Sequence, residues 1–318
     1  MTTVRVLGDN KLPNLFSSGD VEVLDRCVCG SGMTSRIYEE FGLGVEKCAN
    51  CGIVRSNPRL KQEAIQRCYE AGAKNPAVFS EIYDRKPVPT IGWRNVANRY
   101  RDIARKLATL FPKGTSPLLI EVGFGRGEFL PHLREAGFNV QGFDVAETAC
   151  ANLEERGIPA TCAPSLQEAR FPENSLDILV MWEVFEHIPE PDEFAAEVYR
   201  ILKPGGYWFL QVPNWRWLDL KTRVVTKLPG KKTYISKYGL IAPVFHLYHY
   251  THESLKRLLG SKGFVHHKSM RIRLYDETNY RALAAHEAFF VLDAIPALIT
   301  RNRIHRNVVL CEVYRKPG

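Results

Sequence analysis

The chain has 318 residues, 45% of them hydrophobic and 25% charged, enough to bury a stable core without covalent staples. No apolar run reaches the roughly 18 residues that span a bilayer; the longest, 288–299, contains Asp293 and Pro296, and MTTVRVLGDN lacks the basic-then-apolar pattern of a leader, so a cytoplasmic protein is expected. The net charge of +8 is local: Arg216, Lys221, Arg223, Lys227, Lys231, Lys232 and Lys237 face only Asp219 within one segment, a net +6, which speaks of a local partner rather than of the whole surface.

In chain order, residues 1–20 read as a weakly structured lead-in. Residues 21–60 carry Cys27 and Cys29, then Cys48 and Cys51. Clustered cysteines in a cytoplasmic protein suggest a metal before disulfides. Cys48-Ala-Asn-Cys51-Gly52 has the spacing of a zinc knuckle. Cys27-Val-Cys29-Gly30 is its candidate partner, although C-x-C departs from the usual C-x-x-C. Four thiolates would close a tetrahedral structural site.

Residues 60–69 and 96–110 have helical periodicity, with a Pro- and small-residue-rich linker at 72–90 between them. From Ser116 the pattern changes. Strands are expected at SPLLIEVGF, 139–144, 159–163, 176–183 and 207–212, alternating with helices at 128–136, 147–156 and 192–202. That alternation implies right-handed βαβ units and a doubly wound, mostly parallel Rossmann-like sheet, an α/β fold. A helix at 251–262, with Thr251 as N-cap, a helical stretch at 280–300, and strands at 264–274 and 307–314 follow. The expected division is a zinc-ribbon-like domain at 1–60, a helical linker at 61–114 and the α/β core at 115–214. A basic insertion on the acceptor side at 215–250 and closing elements at 251–318 complete it.

Gly123, Gly125 and Gly127 follow the first core strand as G-x-G-x-G. A strand entering such a turn lets a ligand touch backbone where a Cβ would block it. Dinucleotide sites use G-x-G-x-x-G, which seats a pyrophosphate on a helix N-terminus; the tighter spacing suits a ligand without phosphates. Asp144 ends the second strand, where a carboxylate can accept both hydroxyls of a ribose. A nucleoside with no phosphate and a charged amino-acid tail is S-adenosylmethionine.

The segments LLIEVGFGRGEFL, GFDV, FPENSLDILVMWEVFEHIPEP and LKPGGYWFLQVPN resemble successive motifs of class I methyltransferases, and the likeness resumes at HLYHYTHESLKRLLGSKGF. The resemblance implies that Glu121, Gly123, Gly125 and Gly127 line the methionine side of the cofactor. It implies that Asp144 and Val145 hold the ribose and the adenine edge, that Ser165 and Leu166 contact adenine, and that Trp182 and Glu183 contact the amino-acid end. Phe124 stands where the family often has Cys, Ala or Pro, and Ser165 where Asp is common. CGSG followed by VEKCANCGIVRSNPRLKQEAI is similar to the zinc-binding segment that precedes the core in bacterial methyltransferases of surface-polysaccharide, deoxysugar and secondary-metabolite synthesis. In sugar C-methyltransferases the pair matching Glu186 and His187 is assigned a catalytic role; His187 would be a general base, or the pair would only shape its loop. His246 and His249 invite a metal reading, against one as packing or pocket wall. The expected acceptor is a small molecule carrying negative charge. An RNA methyltransferase that uses the zinc segment and the basic insertion is the alternative, opposed by Trp182-Glu183-Val184-Phe185 at the place of the Asn-Pro-Pro-aromatic motif of base-amine methylation.

Overall fold

The computed structural model describes residues 5–7, 16–67, 91–227, 241–272 and 308–318, with backbone alone for 5–7 and 91–95. The linker at 72–90, the stretch at 280–300 and residues 228–240 with Lys231, Lys232 and Lys237 lie outside them. The N-terminal part contains β1 (Arg5–Leu7), β2 (Val21–Glu22), β3 (Thr34–Glu40), β4 (Leu43–Cys48), β5 (Val54–Ser56) and β6 (Arg59–Leu60). Two helices follow, α1 over 62–67 and α2 (Ile91–Ala108). The core runs β7 (Leu118–Val122), α3 (Leu130–Glu135), β8 (Asn139–Asp144), α4 (Glu147–Glu155), β9 (Ala160–Cys162), β10 (Leu176–Trp182), α5 (Pro191–Ile201) and β11 (Leu202–Pro213). Then come α6 (Trp215–Val225), β12 (Tyr248–His249), α7 (His252–Gly260), β13 (Val265–Ser269) and β14 (Val309–Arg315).

The large sheet has the order β13-β14-β11-β10-β7-β8-β9. β7, β8, β9, β10 and β11 pair in parallel, and β14 runs against both of its neighbours. This is the expected Rossmann-like α/β architecture. Strands buried on both faces need continuous apolar runs, and β10 and β7 supply them. Ile178, Val180 and Leu119 face the layer of α2, α3 and α4. Leu179, Met181 and Ile120 face the layer of α5 and α7. The chain turns from β9 back across β7 to β10, so the topological switch lies between β7 and β10, where open α/β sheets bind ligands.

Four local expectations are corrected. Arg5–Leu7 is a strand paired in parallel with β3 rather than loose lead-in. The strand expected at 207–212 starts earlier, at Leu202, and takes in Lys203-Pro204-Gly205-Gly206, across which its pairing with β10 jumps from Leu202 to Tyr207. α2 belongs to the core, since Ile103, Ala104 and Leu107 are fully buried against it. The basic segment opens as the helix α6, packed through Trp215 and Val225 on Tyr38, Val45 and Val54 of the N-terminal sheet. That sheet, β1-β3-β4-β5-β12, takes its last strand from Tyr248–His249 and so draws on chain well beyond residue 60. At α7 the capping box closes without a Glu: Ser254 N–H donates to Thr251 Oγ1 at 3.1 Å, and Thr251 N–H donates to Ser254 Oγ at 2.9 Å.

Candidate cofactor, acceptor and cysteine sites

The turn after β7 places Gly123, Gly125 and Gly127 at φ of 68°, 53° and 63°, the left-handed region that costs glycine least. A Cβ at Gly123 would meet Val184 at 2.6 Å and one at Gly127 would meet Leu153 at 2.6 Å, whereas one at Gly125 would meet nothing within 4 Å among the described residues. Asp144 Oδ2 reaches this turn, accepting Gly125 N–H at 2.9 Å, and Oδ1 accepts Ala146 N–H in its own segment at 3.0 Å. Each oxygen keeps a lone pair for a ligand hydroxyl.

Glu121, at 4% exposure, has an oxygen without a hydrogen-bond partner among the described residues. Burial, then the nearby Asp144 carboxylate, push Glu121 up to about 8. Burial also raises Asp144, with the backbone N–H bonds opposing it. A buried orphan carboxylate beside an open glycine turn fits a ligand that brings positive charge and hydroxyls. These residues fit S-adenosylmethionine.

Val145 is exposed and Leu166 buried at the neighbouring strand ends. Ser165 is turned to its own chain, hydrogen-bonded to Glu168 Oε1 at 2.9 Å. Trp182 sits in an aromatic box with Tyr100, Phe129 and Phe209, and the Arg99 guanidinium lies 4.9 Å from its ring. Glu183, at φ 53°, accepts from Gln211 Nε2 at 2.7 Å. Arg99 and Tyr100 are additions to the sequence reading; their only signal there was the periodicity of α2.

Beyond β10, a short 3₁₀ turn (Phe185–His187) carries Glu186 and His187. His187 Nδ1 lies 2.8 Å from the Phe245 carbonyl. A carbonyl only accepts, so Nδ1 carries the proton and Nε2 presents its lone pair. Burial pushes His187 down to about 4, against the Phe245 bond, which keeps the ring neutral at pH 7. Glu186 is 1% exposed, and burial, then Glu183, raise it well above the usual carboxylate range. The structure brings His246 and His249 to this place too, with ring centroids 5.0 Å apart for His187 and His246 and 5.8 Å for His246 and His249.

The four cysteines converge. Cys27 and Cys51 sulfurs are 3.5 Å apart, Cys29 and Cys48 3.7 Å, and all four lie within 4.8 Å of one another. Sulfurs around a tetrahedral zinc with ~2.3 Å bonds stand about 3.8 Å apart, so the set fits that ion. The C-x-C pair does not spoil the turn, because Gly30 N–H closes on Cys27 O at 2.7 Å as Gly52 N–H closes on Cys48 O at 3.1 Å. The neighbouring Cys51 thiol holds Cys27 down at about 5. Cys27, Cys48 and Cys51 pack into the core cluster of Phe185, Tyr250 and Leu258.

Residues 93–268 match the family described as "Methyltransferase domain". The chain belongs to this family. Among relatives, this methyltransferase-family chain is similar to the ubiquinone biosynthesis O-methyltransferase of Caulobacter vibrioides, 32% identical over 105 residues, 30% of this chain and 40% of that one. It is also similar to the "Probable S-adenosylmethionine-dependent methyltransferase" of Mycobacterium tuberculosis, 26% identical over 198 residues, 61% of this chain and 65% of that one. The chain thus spans 40–65% of the length of these relatives. A chain in the complex between the Haloferax volcanii Trm112 methyltransferase activator and a methyltransferase shares the fold, with a TM-score of 0.50, 17% identity, and coverage of 79% of this chain and 98% of that chain.

Proposed function

We propose that the protein transfers the methyl group of S-adenosylmethionine to a hydroxyl or carbon of a small acceptor, a sugar, glycan precursor or secondary metabolite. The observation that carries this is the orphaned Glu121 carboxylate beside the open Gly125 turn and Asp144. When bound, the cofactor supplies a sulfonium methyl with a good leaving group. The chain must therefore align an acceptor and free its electron pair. Glu121 meets the positively charged end, Asp144 the ribose, and Val145 and Leu166 the adenine edge. Glu186 and His187 lie beyond β10, on the acceptor side. A neutral His187 has its Nε2 lone pair available to an acceptor proton or to a cation. The hydroxyl acceptor implied by the name of the Caulobacter relative is in keeping with this. The four cysteines hold one structural zinc.

Labelled cofactor incubated with fractionated metabolites tests the activity directly: a methylated small molecule is expected, and label in RNA alone would replace this reading with RNA methylation. His187→Ala should keep cofactor affinity and lose turnover by roughly 10²–10⁴-fold; full activity would reduce the residue to loop packing. The basic segment would recognise negative charge on the acceptor. Lys231→Glu with Lys232→Glu should then raise the acceptor KM and make it less salt-sensitive, with cofactor affinity unchanged.

A further inference from the structure

The polar groups around Glu186 are short of partners. Glu186 is 1% exposed, and among the described residues neither of its oxygens has a hydrogen-bond partner. His249 is 2% exposed, and among the described residues both of its ring nitrogens and the buried His246 Nδ1 find no partner. Glu186 Oε1 stands 4.0 Å from His187 Nε2. That is too long for a hydrogen bond, and Nε2 has no proton to give, because His187 Nδ1 donates to Phe245 O. Glu186 Oε1 and His187 Nε2 thus face each other without a hydrogen bond. Buried polar groups are nearly always satisfied, and several orphans in one place call for an explanation.

A shared cation would satisfy these groups together. One ligand atom each from Glu186, His187 and His246 lies within 4.8 Å of the others. The Nδ1–H bond to Phe245 O is the kind of outer contact that fixes the tautomer and orientation of a metal-binding histidine. Glu186 is at the floor, whereas the His187 side chain is 20% exposed, so the set is closed on one side and open on the other. Three protein ligands with an open position is the pattern of reactive rather than structural metal sites. Two imidazoles and a carboxylate suit a first-row divalent ion.

We propose that Glu186, His187 and His246 form a divalent transition-metal site whose open position binds an oxygen of the methyl acceptor. The proposal rests on the methyl-transfer reading for the identity of that oxygen, and on geometry alone for the metal. On binding the ion, an acceptor hydroxyl loses its proton to solvent, since the metal lowers its pKa. An oxygen lone pair then forms the O–CH₃ bond as the S–CH₃ bond breaks, and that bond's electron pair passes to sulfur and cancels its charge. His187 acts here as a ligand. The acceptor class this selects carries a hydroxyl and no bulky group against Glu186.

The test uses the full chain, as purified with its cysteine-bound metal, titrated with Co²⁺. One further equivalent is expected, giving visible d–d absorption without sulfur-to-cobalt charge transfer. Glu186→Gln and His246→Ala should each weaken that equivalent at least ~100-fold, with S-adenosylmethionine affinity, read by calorimetry, unchanged. Should either variant misfold, cobalt-edge X-ray absorption of the unaltered protein decides through nitrogen and oxygen scatterers. No further equivalent, one with sulfur ligands, or equal affinity in folded variants overturns the site. Bound cobalt without any S-adenosylmethionine affinity would overturn the methyl-transfer reading instead.

Discussion

Asp144 and Glu121 are both buried carboxylates at the strand ends, and they differ in how they are satisfied. Asp144 has a backbone N–H on each oxygen, so it is already oriented and has lone pairs to spare. Asp144→Ala removes a charged acceptor of two ribose hydroxyls. Such bonds contribute about 1.5–3 kcal/mol each, so S-adenosylmethionine affinity should fall at least ~10-fold; unchanged affinity by calorimetry would sink the ribose assignment. Glu121 has an oxygen with no partner among the described residues and is pushed up to about 8 by burial and by Asp144. Below that pH it holds a proton, which a cationic ligand must displace. Cofactor affinity should therefore rise between pH 6 and 8, and Glu121→Gln should flatten the profile. A wild-type profile flat over that range would show that the positive end does not meet Glu121.

At the scale of elements, the N-terminal sheet and the turn bearing Glu186 are tied through one short stretch of chain. β12 pairs with β5, Ser56 Oγ donates to His246 O at 3.0 Å, and Leu247 N–H donates to Glu186 O at 2.9 Å. Arg59 on β6 reaches the same turn, donating to Pro189 O at 2.5 Å and Glu190 Oε1 at 2.7 Å. Arg59→Ala should lower kcat roughly 10- to 100-fold, the scale of a small misplacement, without changing cofactor affinity; an unchanged kcat would show that the contact only packs. The cysteine site supports the same sheet, and metal analysis should find about one sulfur-bound zinc per chain. A chelator strong enough to remove it should lower Tm, since structural zinc contributes folding free energy. A Tm indifferent to chelator, with no sulfur-bound metal, would refute the site. The α/β core was legible because its strands are continuous apolar runs and its glycines and Asp144 sit at fixed offsets from strand ends. β12 was not: two residues in an aromatic-His stretch carry no period, and their partner is nearly 200 residues away in the chain. The roles of Arg59 and Arg99 are equally long-range. The orphaned atoms of Glu186 and His249 appear only when burial and partners are known.

For the molecule as a whole, pH acts through an ion cluster at the edge of the large sheet, remote from the glycine turn. Glu312 on β14 is fully buried. Its Oε1 lies 3.1 Å from His252 Nδ1 at the start of α7, and its Oε2 lies 2.7 Å from His266 Nε2 on β13 and 2.7 Å from Ser269 Oγ. Burial would raise Glu312, but the bonds from His252, His266 and Ser269 outweigh it and hold the carboxyl at about 2. His252 is raised, first by its bond to Glu312 and then by charge, with burial opposing. A depressed carboxyl stabilises the fold above its unfolded value of about 4.3 and loses that contribution as pH falls toward 2. A raised histidine stabilises below its unfolded value of about 6.5 and loses that contribution as pH climbs through its folded value. The two overlap from about pH 4.3 to 6.5, where the cluster contributes most. Removing one partner of a buried pair costs about 3–5 kcal/mol because the other charge is left uncompensated. Glu312→Gln should therefore destabilise most within that window, with the gap to wild type narrowing on both sides, as read by denaturant unfolding at a series of pH values. A gap that stays constant across pH would mean that Glu312 stabilises the edge by hydrogen bonding alone, with His252 neutral throughout.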